Sequence, residues 1–464
     1  MPILRFSSHN AGSQLPVIAP TVRLPRLCWC GCFVFRTLLA AGATLAVAGA
    51  ASADSLKLVS QAAANPADPA TSPKGASLEG RDADFTAAAD YSAGKSGRAV
   101  LVMQHGKIIF ERYDNGWSAS KPHPLASGTK SFTGVTAAIA IGDGLISGWD
   151  ELVCDTITEW ATDPYKKLIT VRHLLTLSSG LDPADDTLGG GATPRRNGQR
   201  IMGPGTGSKK DAERGANAAS DKFKAAVTTK SVAKPGARFE YGPSHYMAFG
   251  EFLQRKLTAS KTLPESQKTV MGYMKAKLFD PIGLVVGRFG KDLAGNPNLP
   301  GGCLLTAQQW AKFGQLVLQE GTWKKPDGAS AQIVRSDLLE ECFKPSKANP
   351  AYGLTWWLLR DGSGAGADVG AVADGGGGGN ADDLRAKVRM KLLSREASAS
   401  IRRPDGAPWE IYMAAGLGKQ RLYVLPQEDM VIVRFAENDR RGMSFDNGQF
   451  LSRVLGVKGE AAPK

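Results

Sequence analysis

Leu125-Ala126-Ser127-Gly128-Thr129-Lys130-Ser131-Phe132 sets a hydroxyl and an amine three residues apart. Phe132, Val135 and Ile139 then recur at three and four residues, the period of an amphipathic helix, and Gly142-Asp143-Gly144 ends the pattern. A helix is therefore expected to start near Ser127. Its N-terminal amides and dipole would lie close to that hydroxyl and favour an oxyanion there. Residues three apart share a helix face, so Lys130 is expected beside Ser127. A buried lysine loses its proton more readily than an exposed one and can then accept the serine proton. Spacing alone is weak, because Ser-x-x-Lys arises by chance; a capping serine followed by a solvated lysine is the commoner meaning.

Upstream, Val100-Leu101-Val102-Met103 and Lys107-Ile108-Ile109-Phe110 flank Gln104-His105-Gly106 and read as a β-hairpin. Downstream, helices are expected over Thr170–Leu177, after Tyr241, and from Thr306 to Gly321, the last opened by a capping box of Thr306 and Gln309. Strands return at Trp409–Ala415, Arg421–Leu425 and Met430–Phe435. Strands at both ends with helices between them predict an α+β fold. One antiparallel sheet is built from both termini and flanked by helices, with a helical lobe inserted over about 126–300. Residues 185–222 read as a long surface loop. Residues 361–383, with five glycines from Gly375, read as a flexible insertion.

The N-terminus reads as an export signal. Arg23, Arg26 and Arg36 precede an apolar run from Thr37 to Ala50, followed by Ala51-Ser52-Ala53 before Asp54. The run falls short of the about 20 residues that span a bilayer, which disfavours an uncleaved anchor and stable membrane insertion. Residues 1–53 are thus expected to be removed, residues 54–81 to form a flexible leader, and 82–464 to fold. The expected location is the bacterial periplasm or exterior. Residues 1–53 hold four arginines and no acid, so the net charge of +13 falls to +9 for the remainder. Such a charge suits association with anionic envelope polymers. No basic stripe with interleaved aromatics speaks for nucleic acid. Cys154, Cys303 and Cys342 remain after cleavage and form neither a disulfide framework nor a zinc pattern. No metal or cofactor is expected.

Two further segments bear on the chemistry. Pro235-Gly236-Ala237-Arg238-Phe239-Glu240-Tyr241-Gly242-Pro243-Ser244-His245 puts Tyr241 at a loop-to-helix junction, from which a phenol can relay a proton. Ala414-Ala415-Gly416-Leu417-Gly418 is a strand of small residues that can lie along a substrate. The amides of Leu417 and Ser127 would together make an oxyanion hole. Gly94-Lys95-Ser96 lacks the first glycine of a phosphate loop, Ala89 standing there, and no Gly-x-Ser-x-Gly elbow occurs. The histidines, His245 included, show no metal-ligand spacing.

These pieces, in this order, resemble the serine β-lactamase-related superfamily. It comprises class C β-lactamases, D-alanyl-D-alanine carboxypeptidases, family VIII carboxylesterases and 6-aminohexanoate-dimer hydrolase. The resemblance spans roughly 97–440 and includes Leu174–Leu181, Thr306–Gly314 and Tyr352–Trp357. It implies a β-lactamase/transpeptidase-like fold, Ser127 as nucleophile, Lys130 as its partner, Tyr241 as the tyrosine of Tyr-x-Asn, and Leu417 as oxyanion donor. Pro243 replaces the asparagine of that motif, with Ser244 expected to take over its contact with substrate. Ala414-Ala415-Gly416 replaces Lys-Thr-Gly or His-x-Gly, and Leu177 replaces a common histidine. Gly416 and Gly418 are expected to flank the substrate. The losses point to a small ester or amide rather than a β-lactam, closest to the dimer-hydrolase type. Two other readings stand beside this one: a degenerate penicillin-binding-like module that binds the envelope, and a D-alanyl-D-alanine carboxypeptidase.

Overall fold

Six antiparallel strands form the main sheet of the computed structural model. It describes residues 77–78, 81–183, 185–188, 195–196, 199–200, 219–324, 328–359, 401–403, 406–407 and 409–457, all within one unit spanning Asn65–Lys464. The expected signal peptide, nearly all of the leader, most of the 185–222 loop and the 361–383 insertion lie outside the described residues.

Strand β1 (Gly97–Gln104) turns through His105 and Gly106 into β2 (Lys107–Tyr113). Both turn residues have positive φ, 50° and 73°, which suits a two-residue hairpin. Short strands β3 (His123–Pro124), β4 (Arg288–Phe289) and β5 (Cys303–Leu305) make a small separate sheet. Strands β6 (Trp357–Leu359), β7 (Ile411–Gly416), β8 (Gln420–Leu425) and β9 (Met430–Ala436) complete the main one, in the order β6-β7-β8-β9-β1-β2. The C-terminal strands thus meet the N-terminal hairpin through β9 and β1, the closure expected from strands at both ends.

Every residue of β9 is buried, because helices cover both faces. Helix α6 (Ala307–Leu318) packs on the face of Leu422 and Val431. It approaches so closely that a Cβ on Gly314 would lie 2.5 Å from Val431 Cγ1. Alternation along the strands turns Arg421 and Arg434 to the opposite face. There they meet α1 (Phe85–Gly94) and α7 (Asn447–Leu455), through Ser92 and Asn447. Neither helix was foreseen. Each is short and capped by an aspartate, Asp84 and Asp446, whose oxygens accept from Ala87 and Gln449 amides.

The middle of the chain carries α2 (Lys130–Gly142), α3 (Val171–Leu175), α4 (Lys222–Thr228) and α5 (Ser244–Ala259). α3 is shorter than expected, because Leu177 (φ 58°) and Gly180 (φ 76°) turn the chain away. The capping box of α6 is only half made. Thr306 Oγ1 accepts from the Gln309 amide at 3.3 Å, but the Gln309 side chain instead accepts from the Val285 amide at 2.8 Å. Among the described residues no helix is long and apolar enough to cross a membrane, and Cys154, Cys303 and Cys342 are free thiols.

Candidate active site

Ser127 lies in a 3-10 turn, Ala126–Thr129, and α2 begins only at Lys130. The expected α-helical start at Ser127 is therefore one turn early. Ala126 enters that turn with φ 48°, a left-handed conformation that costs a non-glycine residue of order 1 kcal/mol and is common at functional sites. Three features hold it. Thr129 Oγ1 donates to Ala126 O at 2.7 Å, and the Leu125 amide donates to Cys303 O of β5 at 2.9 Å. Gly128 passes under Trp310, where a Cβ would lie 2.8 Å from the indole. The turn is tight but right-handed from Ser127 onward, so residues three apart still share a face.

Lys130 is buried, at 4% exposure. Its Nζ donates to Ser127 Oγ at 3.0 Å and to Pro300 O at 2.7 Å. It stands 4.9 Å from the Tyr241 ring centroid and 5.5 Å from that of Tyr246. Tyr246 and Pro300 escaped the sequence reading. Tyr246 lies five residues past Tyr241, inside a helix whose face could not be assigned beforehand. Pro300 contributes only a backbone carbonyl, which no side-chain pattern announces. The Tyr246 and Tyr352 hydroxyls bond each other at 2.9 Å, and burial pushes both phenols well above their ordinary range, so they stay neutral.

Tyr241 is half-buried and stacks on Trp357 at 6.1 Å between centroids, within a cluster that includes Phe239 and Tyr352. Four residues on, His245 is fully buried. Its Nε2 meets Glu240 O at 2.8 Å and its Nδ1 meets Ser179 Oγ at 2.8 Å. A carbonyl only accepts, so Nε2 carries the hydrogen and Nδ1 accepts from the serine. Burial pushes the imidazole down to about 4; the Glu240 carbonyl opposes this and the Lys130 charge adds to it. His245 is thus a neutral clasp between the Tyr241 loop and the Ser178-Ser179-Gly180 turn. The other described histidines serve elsewhere: His105 faces Asp429, His123 stacks on Phe435, and His173 caps α3.

Strand β6 pairs only with Ile411–Met413, so one edge of Ala414–Gly416 carries no strand pairing among the described residues. This end of the strand abuts the serine turn. A Cβ on Gly416 would lie 2.0 Å from Leu125 O, so only glycine allows the approach. The chain reverses through Leu417, Gly418 (φ 79°) and Lys419 (φ 60°), and Gly416 pairs with Gln420. Leu417 is half-buried at this tip.

Three residues expected to touch substrate are buried. Gly416 and Gly418 are both buried; Gly418 is enclosed by Gln420 and Asn438, and both glycines shape the backbone instead of facing open space. Ser244, fully buried on the first turn of α5, has a hydroxyl with no hydrogen-bond partner among the described residues. A separate cavity lined by Lys222, Met247, Gly290, Lys291 and Asp292 holds none of the expected site residues.

A serine–lysine pair beneath the open edge of a helix-covered antiparallel sheet defines the class of β-lactamase and penicillin-binding-like serine hydrolases. Residues 83–437 match the Beta-lactamase family, well over half the chain, and the chain belongs to that family. Solved structures share the fold, and two of them illustrate it. One, from Bacillus anthracis and provisionally assigned as a 6-aminohexanoate-dimer hydrolase, is 18% identical with a TM-score of 0.51 over 79% of each chain. The other, from Bacteroides dorei DSM 17855 and provisionally assigned as a β-lactamase, is 14% identical with a TM-score of 0.52. That match covers 81% of this chain and 99% of the other. At these identities the likeness extends to the fold alone. No curated protein matches the sequence.

Proposed function

We propose that this protein is an exported serine hydrolase that cleaves a small ester or amide through an acyl-enzyme on Ser127. The observation that carries the reading is the 3.0 Å contact between Lys130 Nζ and Ser127 Oγ at a buried site. In its neutral form Lys130 takes the Ser127 proton as Oγ attacks the carbonyl carbon. The Ser127 and Leu417 amides receive the oxyanion. The tetrahedral intermediate collapses, and the leaving group departs with the proton relayed by Lys130 and Tyr241. Water then attacks the ester on Ser127 by the same proton path in reverse, releasing the acid and restoring the serine. No step needs a cofactor.

Export rests on the arginine-flanked apolar run and Ala51-Ser52-Ala53, and the basic remainder suits a site among anionic envelope polymers. Pro243 and Ala414 offer no amide or cation for a substrate carboxylate, which favours a neutral ester or amide over a peptidoglycan terminus.

The test uses purified residues 54–464 with short-chain p-nitrophenyl esters and a fluorophosphonate probe. Wild-type protein is expected to turn over at least one ester and to label stoichiometrically at Ser127. Ser127→Ala is expected to lose both, with about a 10³-fold or greater fall in turnover. Undiminished turnover in that variant, or wild-type protein that neither turns over nor labels, would leave the degenerate binding module standing.

A further inference from the structure

Two arginines lie directly opposite each other on neighbouring strands, Arg421 of β8 and Arg434 of β9, at 1% and 0% exposure. Like charges placed so are normally unfavourable, and burial without water raises the cost. Burial, with the Arg421 charge adding to it, pushes Arg434 down to about 9. Such a pair calls for a compensating use, and its hydrogen bonds show where it is spent.

Arg421 Nη1 donates to Gln420 O at 3.0 Å and to Gly416 O at 3.4 Å. Arg434 Nη1 donates to Lys419 O at 2.9 Å. Gln420 Nε2, between them, donates to Leu417 O at 3.1 Å and to Ala436 O at 2.7 Å. The carbonyls of Gly416, Leu417 and Lys419 are thus all gripped from inside the protein. Other guanidinium bonds run outward to the terminal helices and their ends, among them Arg434 Nη2 to Lys95 O at 2.9 Å. Arg421 Nε reaches Asn447 Oδ1 at 3.1 Å, Arg434 Nε reaches Ser92 Oγ at 2.9 Å, and Arg434 Cζ lies 3.7 Å from the Phe445 ring centroid.

Geometry links these bonds to the chemistry. Gly416 C=O and Leu417 N–H belong to one trans peptide and point in opposite directions. A donor that holds the carbonyl on the Arg421 side therefore aims the Leu417 amide the other way, toward the side on which Gly416 abuts Leu125 and the serine turn. The positive charge behind the carbonyl also polarises the shared peptide and strengthens its N–H as a donor. Lys419, a non-glycine with φ 60°, is kept in its left-handed conformation by the bond from Arg434.

We propose that Arg421 and Arg434, with Gln420 between them, are positioning residues of the oxyanion hole: they brace the Gly416–Lys419 tip so that the Leu417 amide faces the developing oxyanion. The proposal rests on the hydrolase reading above. It goes beyond that reading in assigning function to two buried charges remote from the substrate.

The test compares p-nitrophenyl acetate with its thionoacetate analogue, whose larger, softer sulfur is a poor acceptor in an oxyanion hole. Arg421→Gln and Arg434→Gln are expected to lower kcat on the oxygen ester about 30- to 100-fold, with KM nearly unchanged. The thionoester should fall much less, so that the oxygen-to-sulfur ratio of kcat/KM drops about tenfold. Ser92→Ala, which removes an anchor of Arg434 without touching the tip, is expected to lower the melting temperature and leave the ratio unchanged. Equal loss on both esters in folded arginine variants would make the arginines purely structural and overturn the proposal. Should the glutamine variants show no cooperative melt, Arg421→Lys and Arg434→Lys are read by the same ratio and decide in its place. Ser127→Ala, run in parallel, separates this failure from failure of the hydrolase reading, since only the latter predicts that it keeps wild-type turnover.

Discussion

The two walls that face each other across Ser127 are built on different terms. On the Lys130 wall the two buried basic side chains are held by named partners: Lys130 by Ser127 and Pro300, and His245 by Ser179 and Glu240. On the strand wall, Ala414, Ala415 and Gly416 offer only backbone. The difference separates two requirements. Proton transfer needs titratable groups at fixed distances, whereas stabilising an oxyanion needs only peptide N–H groups held still. A site can therefore keep its covalent chemistry while losing the side chains that select one substrate.

Removing the amine is the largest way to break that contrast. Lys130→Met keeps the length of the side chain and its apolar stem but deletes the proton acceptor. We expect kcat/KM on p-nitrophenyl esters to fall about 10³-fold. Pro300 O would also lose its donor, at about 1 kcal/mol of stability. Steady-state kinetics beside a urea melt separate the two effects. Activity within tenfold of wild type would show that something other than Lys130 takes the Ser127 proton.

The clasp behind that wall gives an intermediate effect, visible in stability. His245 takes up a proton near pH 6.5 when unfolded but only near 4 when folded. Between those values the unfolded chain holds more protons, so stability falls as pH drops from about 6.5 to 4. The loss at this one site is at most roughly 3 kcal/mol. Burial shifts His123 and His173 in the same direction. Urea denaturation of wild type and His245→Asn at pH 7 and 4.5 isolates the contribution. The variant starts less stable but should lose less on acidification. Parallel losses in both proteins would show that His245 is not the buried neutral group described here.

How legible these walls were in the sequence follows from what each is made of. Ser127, Lys130 and Tyr241 could be placed because helical spacing and motif order fix side chains relative to one another, and the structure brings Lys130 within 5 Å of the Tyr241 ring. The sheet was legible because β1, β8 and β9 are near-continuous apolar runs. The clasp, the Pro300 carbonyl and the arginine brace were not. Each depends on a contact across many residues, such as the 66 between Ser179 and His245 or the 342 between Ser92 and Arg434. No local period encodes those. The burial of Ser244, Gly416 and Gly418 was hidden for the opposite reason: a motif gives order along the chain, but not which side of the backbone faces the cleft. Helix α1, rich in alanine, carries little periodic signal, whereas α7 carries a clear one in Phe450, Leu451, Val454 and Leu455, but over only nine residues at the end of the fold.

The smallest effect sharpens the contrast by repairing the strand wall. If the missing cation at Ala414 is what leaves the site indifferent to a substrate carboxylate, Ala414→Lys should restore some preference for an anionic ester. A partly solvated charge pair is worth about 1 kcal/mol, so the expected gain is only about fivefold in relative kcat/KM. The comparison is between the p-nitrophenyl monoester of succinate and p-nitrophenyl butyrate, which are similar in length and differ in charge. Ala414 is buried at 1% exposure, so the new side chain must snorkel out along the open edge, and some stability will be lost. Because both esters are measured on the same folded protein, that loss cancels in the ratio. The gain should shrink as salt is raised, as expected of an exposed ion pair. An unchanged ratio in a folded variant would mean that position 414 does not face the substrate, and that selectivity lies with the aromatic cluster around Tyr241 and Trp357 instead.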